Sequence, residues 1–314
     1  MKRIAILLIL CLFLVGCAGD TQANITGFTM DSTMQLQVWG ENAEAAAEAV
    51  EKLMKRLEKQ WSATDMESTI GKLNRGLRIG LRPEELAVLD KARRLQERTN
   101  GCFDPMLYDV VALWGFYDNN YRVPTQAQLQ QALKEERWDL DSVIRGYAGQ
   151  LAADLLLETG IDRAILQLGG NIQTVGELPE GELWKINIQD PKGDGQIGIV
   201  SVEGTASIAT TGDYQRYFEK DGVRYHSILD PKTGYPAQSG LSSVTVICKD
   251  GMTASALSTA LFVMGLEQGA DFWRKSDDFE AVFILTDGRI FATEGADLSG
   301  CEFERIFRKS EKSA

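Results

Sequence analysis

Histidine and cysteine are scarce in this chain. Its 314 residues include one histidine and five cysteines, and no two cysteines stand in a C-x-x-C spacing. Disulfide frameworks and cysteine-based metal sites both need several such residues at short, repeated spacings. The sequence therefore argues against both, and stability has to come from a hydrophobic core.

Basic residues are outnumbered by acidic ones. The chain has 33 Lys and Arg against 45 Asp and Glu, a formal net charge of −12. Binding to nucleic acid or to anionic lipid relies on Lys and Arg that neutralise phosphates. The charge balance therefore excludes nucleic acid as a partner, and a ligand with two negative charges needs local cations or a metal ion.

Long apolar runs are also missing, apart from one at the N-terminus. Lys2 and Arg3 precede an apolar stretch over residues 4–14, and residues 14–17 read LVGC. A membrane anchor is the alternative interpretation, but the run is well below the roughly 18 to 20 residues that span a bilayer. The pattern predicts a lipoprotein signal peptide over residues 1–16, whose loss removes two positive charges and leaves a net charge of −14.

Cys17 is then the predicted lipidation site. One acyl chain on this cysteine is expected to hold the protein at the cell membrane, on the extracytoplasmic face. After it we expect a tether over residues 17–27, the functional domain over residues 28–308 and a charged tail over residues 309–314. A 44% hydrophobic content is enough for one large domain or two closely joined lobes.

The apolar pattern alternates between helical and strand periods. Helices are expected over residues 42–61, from Pro83, and over residues 126–136, 145–159, 253–264 and 267–275, and strands over residues 34–38, 164–168, 184–189, 198–202, 214–218, 243–248 and 281–285. Short strands between helices favour an α+β fold, with mixed sheets flanked by helices.

Two turn-forming segments each allow two interpretations. Gly169-Gly170 follows a predicted strand, where the missing Cβ lets backbone approach a ligand phosphate or ring, but a tight turn explains the pair as well. The residues of the run DPKTG, 230–234, all favour a turn, and the run can equally be a loop over a ligand.

Four blocks of sequence point to one family. The longest covers residues 207–265, from SIATTGDYQRYF to STALFVMG, and the others are MDSTM at residues 30–34, GCFDP to LWGF at residues 101–116, and residues 139–147 followed by LGGN at 168–171. In this order they resemble the ApbE family of FAD:protein FMN transferases. The resemblance extends over almost the whole chain after residue 28 and implies an ApbE-type single catalytic body.

The resemblance implies FAD as the substrate and Mg²⁺ as a cofactor, and it assigns no catalytic residue. It places FAD at Met30, Thr64, Cys102, Phe103, Asp104, Asp139, Arg145 and Leu229, and the metal ion at Ser142, Ser255, Ser258 and Thr259. Phe103 can equally be a core residue, and Asp139 and Arg145 a helix N-terminal acid and a solvated base. Because Ser255 and Thr259 are four residues apart, one helix face would present both oxygens to an ion.

Several positions depart from the family pattern. Ser255 replaces an aspartate that binds the metal, and Asp141 and Asp250 are candidates to supply the missing carboxylate. A histidine of the family is replaced by Ser227, with His226 one residue earlier and thus on the opposite face of a strand. Gln150 and Thr64 replace an aspartate and an aromatic residue, for which Trp61 can substitute, and a segment carried by many relatives between Glu136 and Trp138 is absent.

The expected function is transfer of FMN from FAD to a Thr or Ser of an extracytoplasmic redox protein, with Mg²⁺ assistance. The expected partner is the acceptor flavoprotein subunit of an electron-transfer system. One alternative is an FAD-binding, catalytically impaired lipoprotein that serves as a flavin carrier. A further alternative is a solute-binding lipoprotein, which should have two matched lobes joined by a hinge.

Overall fold

The computed structural model describes residues 21–308. The helices of this part are α1 (Ala43–Trp61), α2 (Thr69–Asn74), α3 (Pro83–Arg98), α4 (Tyr108–Trp114), α5 (Gln126–Ala132), α6 (Asp141–Glu158) and α7 (Gly251–Arg274). Its strands are β1 (Gln22–Thr29), β2 (Ser32–Trp39), β3 (Arg163–Leu168), β4 (Asn171–Val175), β5 (Trp184–Gln189), β6 (Gln196–Val202), β7 (Ser207–Gly212), β8 (Tyr217–Lys220), β9 (Val223–His226), β10 (Leu241–Cys248), β11 (Phe279–Leu285), β12 (Ile290–Thr293), β13 (Asp297–Ser299) and β14 (Glu304–Ile306).

One large sheet organises the molecule. Its nine strands lie in the order β1-β2-β3-β4-β7-β10-β11-β12-β14, and every neighbouring pair is antiparallel except the parallel pair β12 and β14. The expected α+β fold with mixed sheets is confirmed. Because this sheet runs through the whole described body, the structure does not have the two hinged lobes that a solute-binding lipoprotein requires.

The large sheet is covered on both faces. The three long helices α1, α6 and α7 lie side by side on one face, and a three-stranded sheet of β13, β6 and β5 covers the other. Strand β11 shows the reason: Ala281 and Phe283 pack with α7, whereas Val282 and Ile284 pack with the small sheet. Alternate residues of a strand point to opposite faces, so a strand buried on both faces is apolar throughout.

A smaller cluster stands beside the large sheet. Trp114 and Phe116, in and just after α4, pack with Leu229 and with the aromatic rings of the β8–β9 hairpin. The indole nitrogen of Trp114 donates a hydrogen bond to the Gly234 carbonyl oxygen at 2.7 Å. This contact fixes the 230–234 loop against α4.

Some expected boundaries were wrong. The tether predicted over residues 17–27 ends earlier, because β1 starts at Gln22 and pairs with β2 from Gln22 to Thr29. The inward positions of this edge strand include Gly27 and Thr29, and Phe28 is exposed on the other face, so the apolar alternation is weak in the sequence. The strand predicted over residues 214–218 is instead largely the turn between β7 and β8.

The two helices predicted near the C-terminus are a single element with a break. Helix α7 contains Gly265 at φ 77°, a left-handed conformation that interrupts the regular helix where the sequence predicts a gap. Helix α6 begins at Asp141 rather than Arg145, and this places Asp141 and Ser142 in its first turn.

Within residues 21–308, no helix combines the length and the apolarity needed to cross a bilayer. The predicted signal peptide and lipidation site at Cys17, like the tail over residues 309–314, lie outside the described residues.

Candidate active site

Helices α6 and α7 cross at two glycines. A Cβ built on Gly146 would overlap the Gly251 carbonyl oxygen and the Ser255 hydroxyl, and a Cβ on Gly251 would overlap the Gly146 carbonyl oxygen. Only glycine permits backbones to approach this closely. The crossing therefore brings the first turn of α6 and the first turns of α7, the two segments expected to share a metal ion, to the same place.

The first turn of α6 carries charge. An Arg145 guanidinium nitrogen lies 3.2 Å from Asp141 Oδ1, and an Arg216 nitrogen lies 3.5 Å from Asp141 Oδ2. The same Arg145 nitrogen donates to the Met30 carbonyl oxygen at 3.3 Å, and Arg216 also donates to the Phe116 carbonyl oxygen. One carboxylate thus holds two guanidinium groups, each of which is tied to a separate part of the backbone.

Met30 reaches this place through a tight hairpin turn between β1 and β2. Met30 and Asp31 have φ values of 50° and 54°, the left-handed conformations of a two-residue hairpin loop. Glu58 of α1 accepts hydrogen bonds from the Met30 amide at 2.9 Å and the Thr29 hydroxyl at 3.1 Å. The turn is therefore fixed from α1 on one side and from Arg145 on the other.

Gly169 and Gly170 form the turn between β3 and β4 at the edge of the same place. Gly169 has φ 59°, and a Cβ on it would overlap the Ser32 hydroxyl. A Cβ on Gly170 would lie 2.5 Å from the Thr210 carbonyl oxygen. The tight-turn interpretation of the pair therefore holds, and the turn packs directly against neighbouring backbone.

Asp139 is the buried acid of the site. Its amide donates to the Pro105 carbonyl oxygen at 2.8 Å, and its Oδ1 accepts from the Asp141 amide at 2.9 Å. Burial, assisted by the charge of Asp141, raises the pKa of Asp139 to about 6. Burial and the neighbouring Asp139 also raise the pKa of the Tyr117 hydroxyl well above its usual value.

The segment 102–104 meets the loop 230–234. The Cys102 thiol is half-buried near the charges of Asp230 and Lys232, and burial raises its pKa. The Asp104 carboxylate accepts from the Met106 amide at 2.8 Å, and its pKa is raised by burial.

Phe103 and Leu229 belong to the interior. Phe103 is 1% exposed and packs in the main core, as the alternative interpretation had it, and Leu229 is buried beneath the 230–234 loop. That loop is a hydrogen-bonded turn, in which the Asp230 carbonyl oxygen accepts from the amides of Thr233 and Gly234.

The first turns of α7 are neutral and internally satisfied. The Ser255 hydroxyl donates to Asn171 Oδ1 at 2.5 Å, and the hydroxyls of Ser258 and Thr259 donate to the Ser255 carbonyl oxygen at 2.9 and 3.3 Å. Thr211 of β7 completes the cluster, with its hydroxyl 2.8 Å from the Ser258 hydroxyl. These hydroxyls are thus already engaged with each other and with the backbone.

This donor set does not fit a resident magnesium ion. Mg²⁺ prefers an octahedral shell of oxygens and is usually bound through one or two carboxylates. The two candidate replacements are occupied, since Asp141 pairs with two arginines, whereas Asp250 caps α7 through the Thr253 amide and pairs with Lys91. Among residues 21–308, no group of three His, Cys, Asp or Glu side chains is arranged to hold a metal ion.

The model of the ApbE family matches residues 30–283, most of the chain. The chain belongs to the ApbE family.

Related proteins and structures agree with this assignment. The FAD:protein FMN transferase of Treponema pallidum is 32% identical over 80% of this chain and 80% of its own length, and that of Haemophilus influenzae is 29% identical over 88% and 91%. The ApbE protein of Thermotoga maritima superimposes with a TM-score of 0.79 at 33% identity, covering 87% of this chain and 97% of its own. The flavin transferase ApbE of Vibrio cholerae gives 0.78 at 27% identity, covering 88% and 98%.

Three positions expected to matter in an ApbE protein, Thr64, Gln150 and His226, make their contacts outside the charged cluster, whereas Ser142 lies next to Asp141. The Thr64 hydroxyl is 3.2 Å from that of Ser62 in the loop after α1. Gln150 donates to Asp154 at 3.3 Å one turn along α6, and Ser142 lies half-buried in the first turn of that helix. His226 is buried edge-on to Phe262, and burial lowers its pKa to about 4.

Sequence reasoning missed three members of the site. Arg216 is a single base in a run of turn and strand residues, and its pairing with Asp141 spans 75 positions of the chain, from 141 to 216. Asn171 and Thr211 are neutral residues at strand ends. Asn171 alone carried a signal, because it directly follows the glycine pair that the ApbE resemblance highlights.

Proposed function

We propose that this protein transfers FMN from FAD to an acceptor protein. The observation that carries the proposal is the cluster at the start of α6, in a chain of the ApbE family. Two segments that the resemblance assigns to FAD meet there: Met30 from one, and Asp139 and Arg145 from the other, all lie within two contacts of Asp141. Relatives over most of the chain's length bear the name FAD:protein FMN transferase, which supports the same activity.

The reaction is a phosphoryl-type transfer. The hydroxyl oxygen of an acceptor Thr or Ser forms a bond to the phosphorus of the FMN half, and the bond from this phosphorus to the bridging oxygen of the diphosphate breaks. AMP leaves with that oxygen, and the hydroxyl proton passes to water. Such reactions depend on positioning and on compensation of the phosphate charge.

Magnesium assistance stays a prediction from the resemblance, and the donor set argues against it. Ser255 provides a neutral hydroxyl that is already donated to Asn171. We therefore assign no step of the transfer to a metal ion.

The proposal includes a place in the cell. The LVGC run of residues 14–17 supports lipidation of Cys17, and we propose that the protein is lipid-anchored at the cell membrane on the extracytoplasmic face, where it modifies an electron-transfer flavoprotein subunit. Cell fractionation tests the anchor. Wild-type protein should sediment with membranes and a Cys17→Ala variant should not, whereas equal sedimentation would contradict lipidation.

The transfer itself is tested with purified protein, FAD and a candidate acceptor with a Thr or Ser in an exposed segment. The expected result is a fluorescent flavin band that stays with the acceptor on a denaturing gel. A control acceptor with Ala in place of that hydroxyl residue should remain dark. If no acceptor encoded near this gene is labelled, the transfer proposal fails.

One observation favours a second candidate function. The hydrogen bond from Ser255 to Asn171 stands where the family has a metal-binding aspartate, so the chain can retain FAD without transferring FMN. A protein that binds FAD tightly but labels no acceptor would be a flavin carrier. The labelling assay combined with an FAD titration separates the two functions.

A further inference from the structure

Two arginines share one carboxylate at the start of α6. The side chains of Arg145, Arg216 and Asp141 are 21%, 31% and 32% exposed, so a ligand can reach all three. Both guanidinium groups are held in place from behind, Arg145 by the Met30 carbonyl oxygen and Arg216 by the Phe116 carbonyl oxygen. The trio carries one net positive charge in a chain that is strongly acidic.

The opposite side of the helix crossing has no charge to offer. Ser255 and Ser258 are each 2% exposed, and their hydroxyls are engaged with Asn171 and with backbone. Of the two lysines beside the start of α7, Lys91 is paired with Asp250, and Lys249 is exposed and precedes the helix. The α7 face at the crossing therefore supplies no charge, and the cations fixed at the crossing are those on the α6 side.

Arginine is suited to that task. A guanidinium group presents parallel N–H donors that match two oxygens of a phosphate, and such charge-assisted hydrogen bonds are about twice as strong as neutral ones. The Asp141 carboxylate, which like a phosphate carries its negative charge on oxygens, lies 3.2 Å from one nitrogen of Arg145 and 3.5 Å from one nitrogen of Arg216. The two arginines are thus spaced to hold an oxyanion between them.

We propose that Arg145 and Arg216 are the cations that bind the diphosphate of FAD in this chain, without a divalent cation. The inference rests on the proposed function, because it takes FAD as the ligand. It assigns Arg216 a phosphate-binding role, and it explains how the protein can have Ser255 where a charged metal ligand is expected. FAD affinity should then be independent of magnesium and dependent on Arg216.

The first test is an FAD titration of the wild-type protein by quenching of flavin fluorescence, in magnesium chloride and again in excess EDTA. We expect the two Kd values to agree within about twofold, since no protein carboxylate holds an ion there. FAD binding that requires magnesium overturns this inference and leaves the proposed function standing. No FAD binding under either condition overturns the proposed function and the inference with it.

The second test compares two charge-matched variants. Arg216→Gln should weaken FAD binding about tenfold, because it removes one charge-assisted contact. The affinity for riboflavin, which has no phosphate, should not change. Arg224→Gln is the control, because it removes the same charge from the neighbouring β9 strand, where Arg224 pairs with Glu219. Equal FAD affinities of the two variants would overturn the role of Arg216.

A third variant restores the family's carboxylate. Ser255→Asp should make FAD binding tighter in magnesium than in EDTA, since it adds the missing anionic ligand. Its fold is checked by circular dichroism, because Ser255 abuts Gly146. A folded Ser255→Asp protein that binds FAD equally in magnesium and in EDTA would contradict the premise that Ser255 is what keeps the ion out. If this variant does not fold, the first two tests still decide.

Discussion

The first turns of α6 and α7 meet at one glycine crossing but differ in chemistry. The α6 side carries Asp139, Asp141 and Arg145, and it is partly exposed. The α7 side carries Ser255 and Ser258, and it is buried and neutral. Shared geometry therefore does not require shared chemistry: the crossing fixes where the two segments lie, and the side chains decide what each can bind.

The difference bears on how a family site changes. The resemblance implies a metal site with ligands from both segments, and with Ser255 on α7 the charges on α6 have to be balanced in another way. Here they are balanced among themselves and by Arg216, a residue from the turn before β8. The backbone geometry of this crossing thus does not by itself fix which charges surround it.

The largest expected effect comes from breaking the crossing itself. Gly146→Ala should lower the free energy of unfolding by about 3 kcal/mol, because its methyl group would overlap the Gly251 carbonyl oxygen and neither helix backbone can yield freely. Urea denaturation followed by circular dichroism measures it. The charged α6 side and the neutral α7 side should both be disrupted, because they share this crossing.

The matched control for this variant is Gly80→Ala. A Cβ on Gly80 would meet no atom within 4 Å, so its stability should change by less than about 0.5 kcal/mol. Equal losses for the two variants would mean that the crossing is not tight, and the comparison of the two helix ends would lose its geometric basis.

A smaller effect, on the pH dependence of the free energy of unfolding, should distinguish the charged α6 side from the neutral α7 side. Burial raises the pKa of Asp139 to about 6 in the folded protein, so the folded state binds a proton more tightly than the unfolded state does. The free energy of unfolding therefore falls as the pH rises from the ordinary value for aspartate to about 6. Asp139→Asn cannot titrate, so its stability relative to wild type should rise over this window and reach a gain of about 1 kcal/mol at neutral pH.

The control for this pH dependence comes from the neutral side. Ser255→Ala should lower the free energy of unfolding by about 1 kcal/mol or less, because it removes the hydrogen bond to Asn171. This decrease should be the same at every pH. His226, whose lowered pKa also makes wild-type stability vary with pH, is present in both variants and cancels in each difference from wild type. A pH-independent difference for Asp139→Asn would contradict its assignment as a buried titrating acid.

Much of the fold follows from local pattern. The apolar stripe of α1 and the alternation in β2 are clear because each element buries one face, and Gly265 divides α7 where the two predicted helices are separated. Strand β1 escaped prediction because its inward positions carry few large apolar residues and Phe28 is exposed on its other face. The short strands β12 to β14 escaped because three or four residues give too few repeats to define a period.

Only part of the candidate site could be predicted from the sequence. Met30, Asp139 and Arg145 were expected together through the resemblance, and the contacts join the first and last of them directly. Thr64 was expected with them, yet the described residues give it only a local bond to Ser62. The pairing of Arg216 with Asp141 depends on how the β7–β8 turn lies over α6. No spacing between residues close together in the sequence predicts it.

The sequence by itself determined the family, the α+β class and the fact that Ser255 cannot provide a negative charge, because these depend on residue identity and on patterns along the chain. The tertiary structure decided which charges meet. Whether Asp141 is free for a metal ion or held by Arg145 and Arg216 depends on distances of a few ångströms between segments far apart in sequence. Electrostatic energies change steeply over such distances, so only the folded arrangement could assign the charge of this site to one side of the crossing.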